Sequence, residues 1–453
     1  MNRTTGFLWF TDVAPAPLVA VGATVSFSLL LVAVLTIGLP IWSLLIFVAA
    51  IVYGFMVLHQ PIIGVYVVVA VFFVPHQFST GISLLQSVGA GTATILLVWF
   101  LYHRRKIVFG SFMIPLLLLG PLILVSLWYT HDATTTLMYF RRWVFNMMFV
   151  LLLVNLITRF DLFKKVLWAI MIMASINAVV AMVDYSTSTM YNYRSKGLME
   201  NPNGFGHLAA LAFPLALYQY LYRKGWMRWL GLLMCAVLAG GIVASVSRGA
   251  LTSLIIVLGV VAIVERRRLI PIVVVLGLMF SSIPLLPNYF VDRVGNLALD
   301  VKNSIMVGNK HGLTSRGNLN TAGLRIWAAH PILGVGIGNF GFYYNQREFI
   351  GGMTAGQAVV AHNVYLQALS EMGTVGGLLL FWLLLNSALS LRRARRATAG
   401  SDERKIYFGG IEMMTLSILV STASSGSLMG NNLWMFLGLT MIAGRVAVAE
   451  AEA

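Results

Sequence analysis

Charge is what this chain has least of. Only 10% of its 453 residues are Asp, Glu, Lys or Arg, against about 25% in soluble globular domains. With 59% hydrophobic residues and a mean hydropathy of +0.85, that scarcity excludes a water-soluble globular protein. Acids are the scarcer sign, 15 against 31 Lys and Arg. There is a single cysteine, Cys235, so no disulfide can form within the chain and the redox compartment is not readable from it. No repeat of fixed period is visible, and the N-terminal stretch MNRTTGFLWFTDVAPAP lacks a strong charged region. The apolar run after it is long enough to be a retained helix rather than a cleaved signal. What remains is an all-α polytopic membrane protein.

What is there is a series of apolar runs. A spanning helix needs roughly 20 mostly apolar residues. Candidate spans lie near 16–38, 39–58, 61–77, 83–102, 111–129, 139–157, 166–184, 204–222, 229–246, 249–264, 269–286, 361–390, 406–424 and 429–447. Several abut, so 12–14 transmembrane helices are expected. One long less apolar interval, 287–360, is left as a large loop outside the bilayer. The basic clusters HRRK (103–106), RFDLFKK (159–165), RKGWMR (223–228), ERRR (265–268) and LRRARR (391–396) all fall on one side of this alternation. The positive-inside rule makes that side cytoplasmic, with both termini, and places 287–360 on the far side. Most of the net charge of +16 is therefore topology signal and attraction to anionic membrane lipids, not a nucleic-acid surface.

The basic residues on the far side run against that rule and mark a candidate site: among them Arg141, Arg142, Arg194, Lys196, Arg248, Arg316, Arg325 and Arg347. Arginine there suits an anionic ligand, phosphate above all, which it grips with parallel hydrogen bonds. Arg248 sits in ASVSRGALTSL between two apolar runs, flanked by Ser247 and Gly249, small residues expected to open space around it. A headgroup-snorkelling arginine is the plain alternative. In YNYRSKGLMENPNGFGHLAAL, Arg194 and Lys196 precede a helix that Asn201 or Asn203 can cap, and a helix start binds anions. RIWAAHPI reads as a short amphipathic helix stopped by Pro331. GVGIGNF lacks the strand–helix surroundings of a dinucleotide site and reads as a turn that brings backbone close to a ligand. His362 and Asn363 open AHNVYLQALSEMGTVGGLLLF at the outer mouth of a helix, where a histidine can accept a proton and Asn363 can orient a neighbour. Gly373, Gly376 and Gly377 would allow close helix packing.

These stretches resemble a known family. HNVYLQALSEMGTVG is similar to the His-Asn, nine residues, Gly-x-x-Gly signature of the O-antigen ligase and polymerase superfamily, with His362 and Asn363 opening it and Gly373 and Gly376 closing it. GLMENPNGFGHLAAL, SVSRGALTSL and RIWAAHPILGVGIGNF follow that family's order, over roughly 190–380. The resemblance implies a GT-C-like membrane glycosyltransferase of the bacterial inner membrane with its active site on the periplasmic face. It implies a donor glycan carried on undecaprenyl diphosphate. The acceptor is lipid A core in a ligase or another lipid-linked glycan in a polymerase. By motif position it implies His362 as the catalytic residue and Arg248 as a diphosphate-binding residue. Arg194 is a second donor-binding candidate, Arg325 and Arg142 are weaker ones, and Asn363, Asn203 and Lys196 are supporting residues. The chain then divides into N-terminal helices (1–190), a catalytic region with its loop (191–390) and C-terminal helices (391–453).

The chemistry agrees. A lipid diphosphate leaves with negative charge, which fixed cations stabilise, and His362 would deprotonate the acceptor hydroxyl. No Asp-x-Asp or Glu-x-x-His lies on the outer side, so neither metal nor cofactor is called for. A single inverting displacement is expected, Glu371 being the one nearby acid for a covalent route. A lipid-linked sugar transporter is the competing class. Transporters place ionisable groups near the midplane and show repeated halves, and neither is apparent here.

Overall fold

The computed structural model describes residues 42–74, 84–104, 107–110, 113–190, 193–281, 315–350, 360–397, 401–424 and 426–451. Among these, every regular element is helical. The helices are α1 (Trp42–His59), α2 (Pro61–Phe72), α3 (Leu84–Tyr102), α4 (Ile114–Ser126), α5 (Ala133–Leu156), α6 (Phe160–Thr187), α7 (Pro202–Tyr222), α8 (Trp226–Ser245), α9 (Arg248–Val264) and α10 (Leu269–Ser281). After them come α11 (Ser315–Ala329), α12 (Phe340–Tyr344), α13 (Arg347–Ile350), α14 (Val364–Ala397), α15 (Asp402–Ser424) and α16 (Asn431–Ala451). Every span read from the sequence is a helix except 16–38, which lies outside the described residues. Long helices with large apolar side chains on the outside, such as Leu101, Ile263, Leu378 and Phe381, suit a protein surrounded by hydrocarbon, where only helices and closed barrels satisfy the backbone.

Among the described residues six of them, α3, α5, α6, α8, α14 and α15, are long and apolar enough by length and composition alone to cross a membrane, where 12–14 spans were expected. The other apolar runs among the described residues are helices as well: 61–77, 111–129 and 249–264 become helices of 12, 13 and 17 residues, and α7 and α16 have 21 residues each.

The core is built around α7. Its residues Phe205 to Tyr222 are all buried, because α8, α9 and α15 pack against it. Small residues on the helix, including Gly206, Ala209, Ala212 and Ala216, allow the close approach. A helix apolar all round belongs at a centre. The bundle has two chemically distinct ends. At one, the basic clusters gather: Lys164 bonds Glu403 at 3.1 Å, Arg223 bonds Tyr407 at 3.0 Å, Arg395 pairs with Glu412 at 3.1 Å, and Arg445 donates to the Val154 carbonyl at 2.7 Å. At the other end lie the start of α7, the break between α8 and α9, the start of α14 and the end of α15.

Candidate active site

The break between α8 and α9 is local chemistry. Val246 ends α8 in the left-handed region, φ 47°, ψ 39°, which costs a β-branched residue about 1–3 kcal/mol. Ser247 then caps α9, accepting from the Ala250 amide, and Arg248 is the first residue of the new helix, half-buried. The opening of α7 is pressed against this break. A Cβ on Gly206 would lie 2.6 Å from Ser245 Oγ and 2.9 Å from Ser247 Cβ, so only glycine fits.

Arg194 is held at the same place. Its Nε donates to the Ser245 carbonyl at 3.1 Å and a terminal nitrogen to Asn203 Oδ1 at 2.5 Å. The two asparagines of the NPN stretch divide the work. Asn201 caps α7 through the Gly204 amide at 2.6 Å, while Asn203 holds the arginine. Lys196 is exposed on the connecting segment.

Gly249 does not open space beside Arg248, as the sequence suggested. A Cβ there would meet the His207 ring at 2.9 Å and also Ser424 Oγ, so the small residue admits α7 and the end of α15. From Ser424 the chain passes to Gly426 (φ 121°), where a Cβ would lie 3.4 Å from Val364 Cγ2. The Leu428 amide then donates to Gln367 Oε1 at 2.8 Å. Ser424 thus lies against the start of α9, and Gly426 and Leu428 against the start of α14. His362 stands just ahead of α14, half-buried, in the left-handed region at φ 52°. Asn363 caps the helix, its Oδ1 accepting from the Tyr365 and Leu366 amides at 3.1 and 3.2 Å. So Asn363 fixes where α14 begins, and with it the backbone of His362. The structure brings Arg194, Asn203, Arg248, His362 and Asn363 to one end of the bundle.

Gly373 of the motif serves a different end from the one expected. Gly373 has φ 66°, ψ −165°, and α14 is two helical pieces joined there. The stretch 331–336 docks into the interruption. Val335 and Gly336 amides donate to the Ser370 and Glu371 carbonyls at 3.1 and 2.8 Å, and Thr374 and Val375 amides donate to Pro331 and Ile332 carbonyls at 2.8 and 3.3 Å. A Cβ on Gly334 would lie 2.5 Å from the Glu371 carbonyl carbon, and one on Gly336 would lie 2.7 Å from Thr130 Oγ1. The glycine-rich turn thus brings backbone close to α14 and to the connection before α5, rather than to a ligand. Asn339 secures it, its Oδ1 accepting from the Asp132 amide at 2.8 Å and its amide nitrogen donating to Thr136 Oγ1 at 3.2 Å.

Glu371, fully buried, completes the seam. One carboxylate oxygen accepts from the Phe340 amide at 3.2 Å and the other from Gln367 Nε2 at 2.9 Å. Both oxygens are engaged by the fold, which argues against a nucleophile. Nothing in its spacing announced this role, since its partner Phe340 is 31 positions away.

The weaker candidates are placed as follows. Arg142, half-buried on α5, lies over the Tyr139 ring at 5.4 Å and lines a cavity of about 50 Å³ with Gln86, Asn146 and Asn431. Arg325 is exposed on α11 and donates to the Phe349 carbonyl at 3.2 Å. That bond ties α11 to α13 within the loop. The short helices α11 to α13 do form a packed unit, with Leu319, Ala322, Ile326, Phe340 and Phe349 buried together, and α11 packs on α14. Among the described residues, no three His, Cys, Asp or Glu side chains cluster as metal ligands would.

Taken together, the fold and this end of the bundle define a polytopic helical membrane protein with Arg194, Arg248 and His362 at one end. Residues 233–381 match the family model described as O-antigen ligase. The match holds Arg248, the glycine-rich turn, His362 and the Gly373 break, and it supports placing the chain in the O-antigen ligase superfamily, with a ligase- or polymerase-type function. No curated protein matches the chain.

Proposed function

We propose that this protein transfers a glycan from undecaprenyl diphosphate to an acceptor sugar at the periplasmic face of a bacterial inner membrane, as an O-antigen ligase with lipid A core as acceptor. One observation carries the reading: Arg194 is bonded to Ser245 at the α8–α9 break that Arg248 follows, with Ser424 against Gly249 there and Gly426 and Leu428 against the helix start that His362 precedes. Cations beside a histidine at one membrane boundary suit a diphosphate leaving group and a hydroxyl nucleophile. The basic clusters at the opposite end of the bundle support a cytoplasmic orientation for that end.

In the proposed step, His362 takes the proton of the acceptor hydroxyl as its oxygen bonds to the donor's anomeric carbon. The bond from that carbon to the phosphate oxygen breaks on the opposite face, and the lipid diphosphate leaves with the electron pair. Arg248 and Arg194 offset the charge that grows on it. The sugar configuration inverts, and no metal is required. Arg142, beside its cavity, and Arg325, from the loop, add weaker donor contacts.

The polymerase reading uses the same site with a second lipid-linked glycan as acceptor. Purified protein in nanodiscs, given undecaprenyl-diphosphate-linked glycan and offered lipid A core and lipid-linked repeat separately, decides between them. Glycan on lipid A core is the expected product. Elongated lipid-linked glycan alone would select the polymerase, and no new glycosidic bond with either acceptor would refute the proposal.

A further inference from the structure

The residues on either side of Arg194 share one acceptor. Tyr193 Oη and Ser195 Oγ both donate to Oδ2 of Asp184, each at 2.6 Å. Asp184 lies in the last turn of α6. Ser195 is buried; its amide donates to the Ala244 carbonyl at 3.0 Å, and its hydroxyl accepts from the Gly197 amide at 3.1 Å. One carboxylate oxygen therefore clamps the positions before and after the arginine. A backbone bond ties the same stretch to the last turn of α8, where Arg194 itself reaches Ser245.

We infer that Asp184 is a positioning residue for Arg194. It holds the root of the arginine side chain, so that the guanidinium meets Ser245 and Asn203 and turns its charge toward an anionic diphosphate. This rests on the reading of Arg194 given under the proposed function. The choice of residue follows from the geometry. Two hydroxyl donors converge on a single oxygen, and a carboxylate accepts both through charge-assisted bonds without needing to donate. A side chain as long as arginine loses much rotamer freedom when its charge is fixed. Anchoring both neighbours reduces how much of that loss donor binding must supply.

The test is steady-state transfer by the full-length protein, varying undecaprenyl-diphosphate-linked glycan at saturating acceptor and then the reverse. Asp184→Ala is expected to lower kcat/KM for the donor roughly tenfold, the scale of losing hydrogen bonds to a charged group, and to leave KM for the acceptor unchanged. Asp184→Asn, which keeps an acceptor oxygen, should recover part of the loss. In an Arg194→Ala background, Asp184→Ala should add nothing. A wild-type donor kcat/KM in Asp184→Ala would overturn the inference, as would losses that multiply in the double variant. Wild-type transfer by Arg194→Ala would instead remove the diphosphate reading of Arg194, and this inference with it, so the two failures are told apart. Should Asp184→Ala fail to accumulate as folded protein, Tyr193→Phe and Ser195→Ala each remove one donor and leave the carboxylate. Each is then expected to lower donor kcat/KM about threefold, again with no further effect in the Arg194→Ala background; multiplicative losses there would overturn it equally.

Discussion

Replacing Gly373 by alanine should detach the loop that docks at 331–336 from the helix that His362 leads. The residue sits at φ 66°, ψ −165°, a region open to glycine, and an L side chain there costs about 1–3 kcal/mol. Its new Cβ would also lie 2.5 Å from the Leu333 amide nitrogen and against the Ile332 carbonyl, atoms that belong to backbone and cannot rotate away. Relief requires the seam to part, and the seam holds four backbone hydrogen bonds, between 331–336 and 370–375. At about 1 kcal/mol net each, the docked loop loses about 4 kcal/mol, or roughly a thousandfold in the ratio of docked to undocked loop. Trypsin reads this directly, because Arg325 and Arg347 lie in the loop and cleavage through transient opening tracks the open population. Gly259→Ala is the control: a Cβ at that helical glycine meets nothing within 4 Å, so its cleavage rate should equal wild type. If Gly373→Ala is cut no faster than Gly259→Ala, the seam does not hold the loop and the reasoning is wrong.

His362→Ala should keep the protein folded and reduce transfer at least about a hundredfold, the scale of a lost general base; near-normal transfer by well-expressed protein removes His362 from the mechanism. Arg248→Lys should lose about tenfold or more in donor kcat/KM, because an ammonium lacks the planar fork that grips phosphate; a lysine variant matching wild type would make Arg248 a generic charge. Excess chelator should leave the transfer rate unchanged, and loss restored by magnesium or manganese would contradict a metal-free step.

Hydropathy located the helices well, since a run of apolar residues in lipid has few other structures open to it. It left the helix ends open, because a run says nothing about where a helix such as α4 stops and turns. The arrest of α11 before Pro331 was also visible, as proline cannot continue a helix. What stayed hidden are contacts between distant stretches. Gly373 and Gly334 each read as a small residue, but that they face one another across a helix break depends on chain 39 positions apart folding together. Gly249 read as open space beside Arg248, whereas His207 and Ser424 fill it. Asp184 had the same problem: its two hydroxyl partners lie close in sequence, but only the return of the chain from α6 brings them to one oxygen.

The most direct test of the account is whether purified protein makes a glycosidic bond at all. Wild type and His362→Ala, each in liposomes with fluorescent undecaprenyl-diphosphate-linked glycan and an acceptor, are followed both for product by mass and for movement of the donor between leaflets. The account predicts acceptor carrying the glycan with wild type and none with His362→Ala, at equal and slow leaflet exchange. Rapid leaflet exchange by both proteins with no new glycosidic bond would contradict it and mark the chain as a transporter.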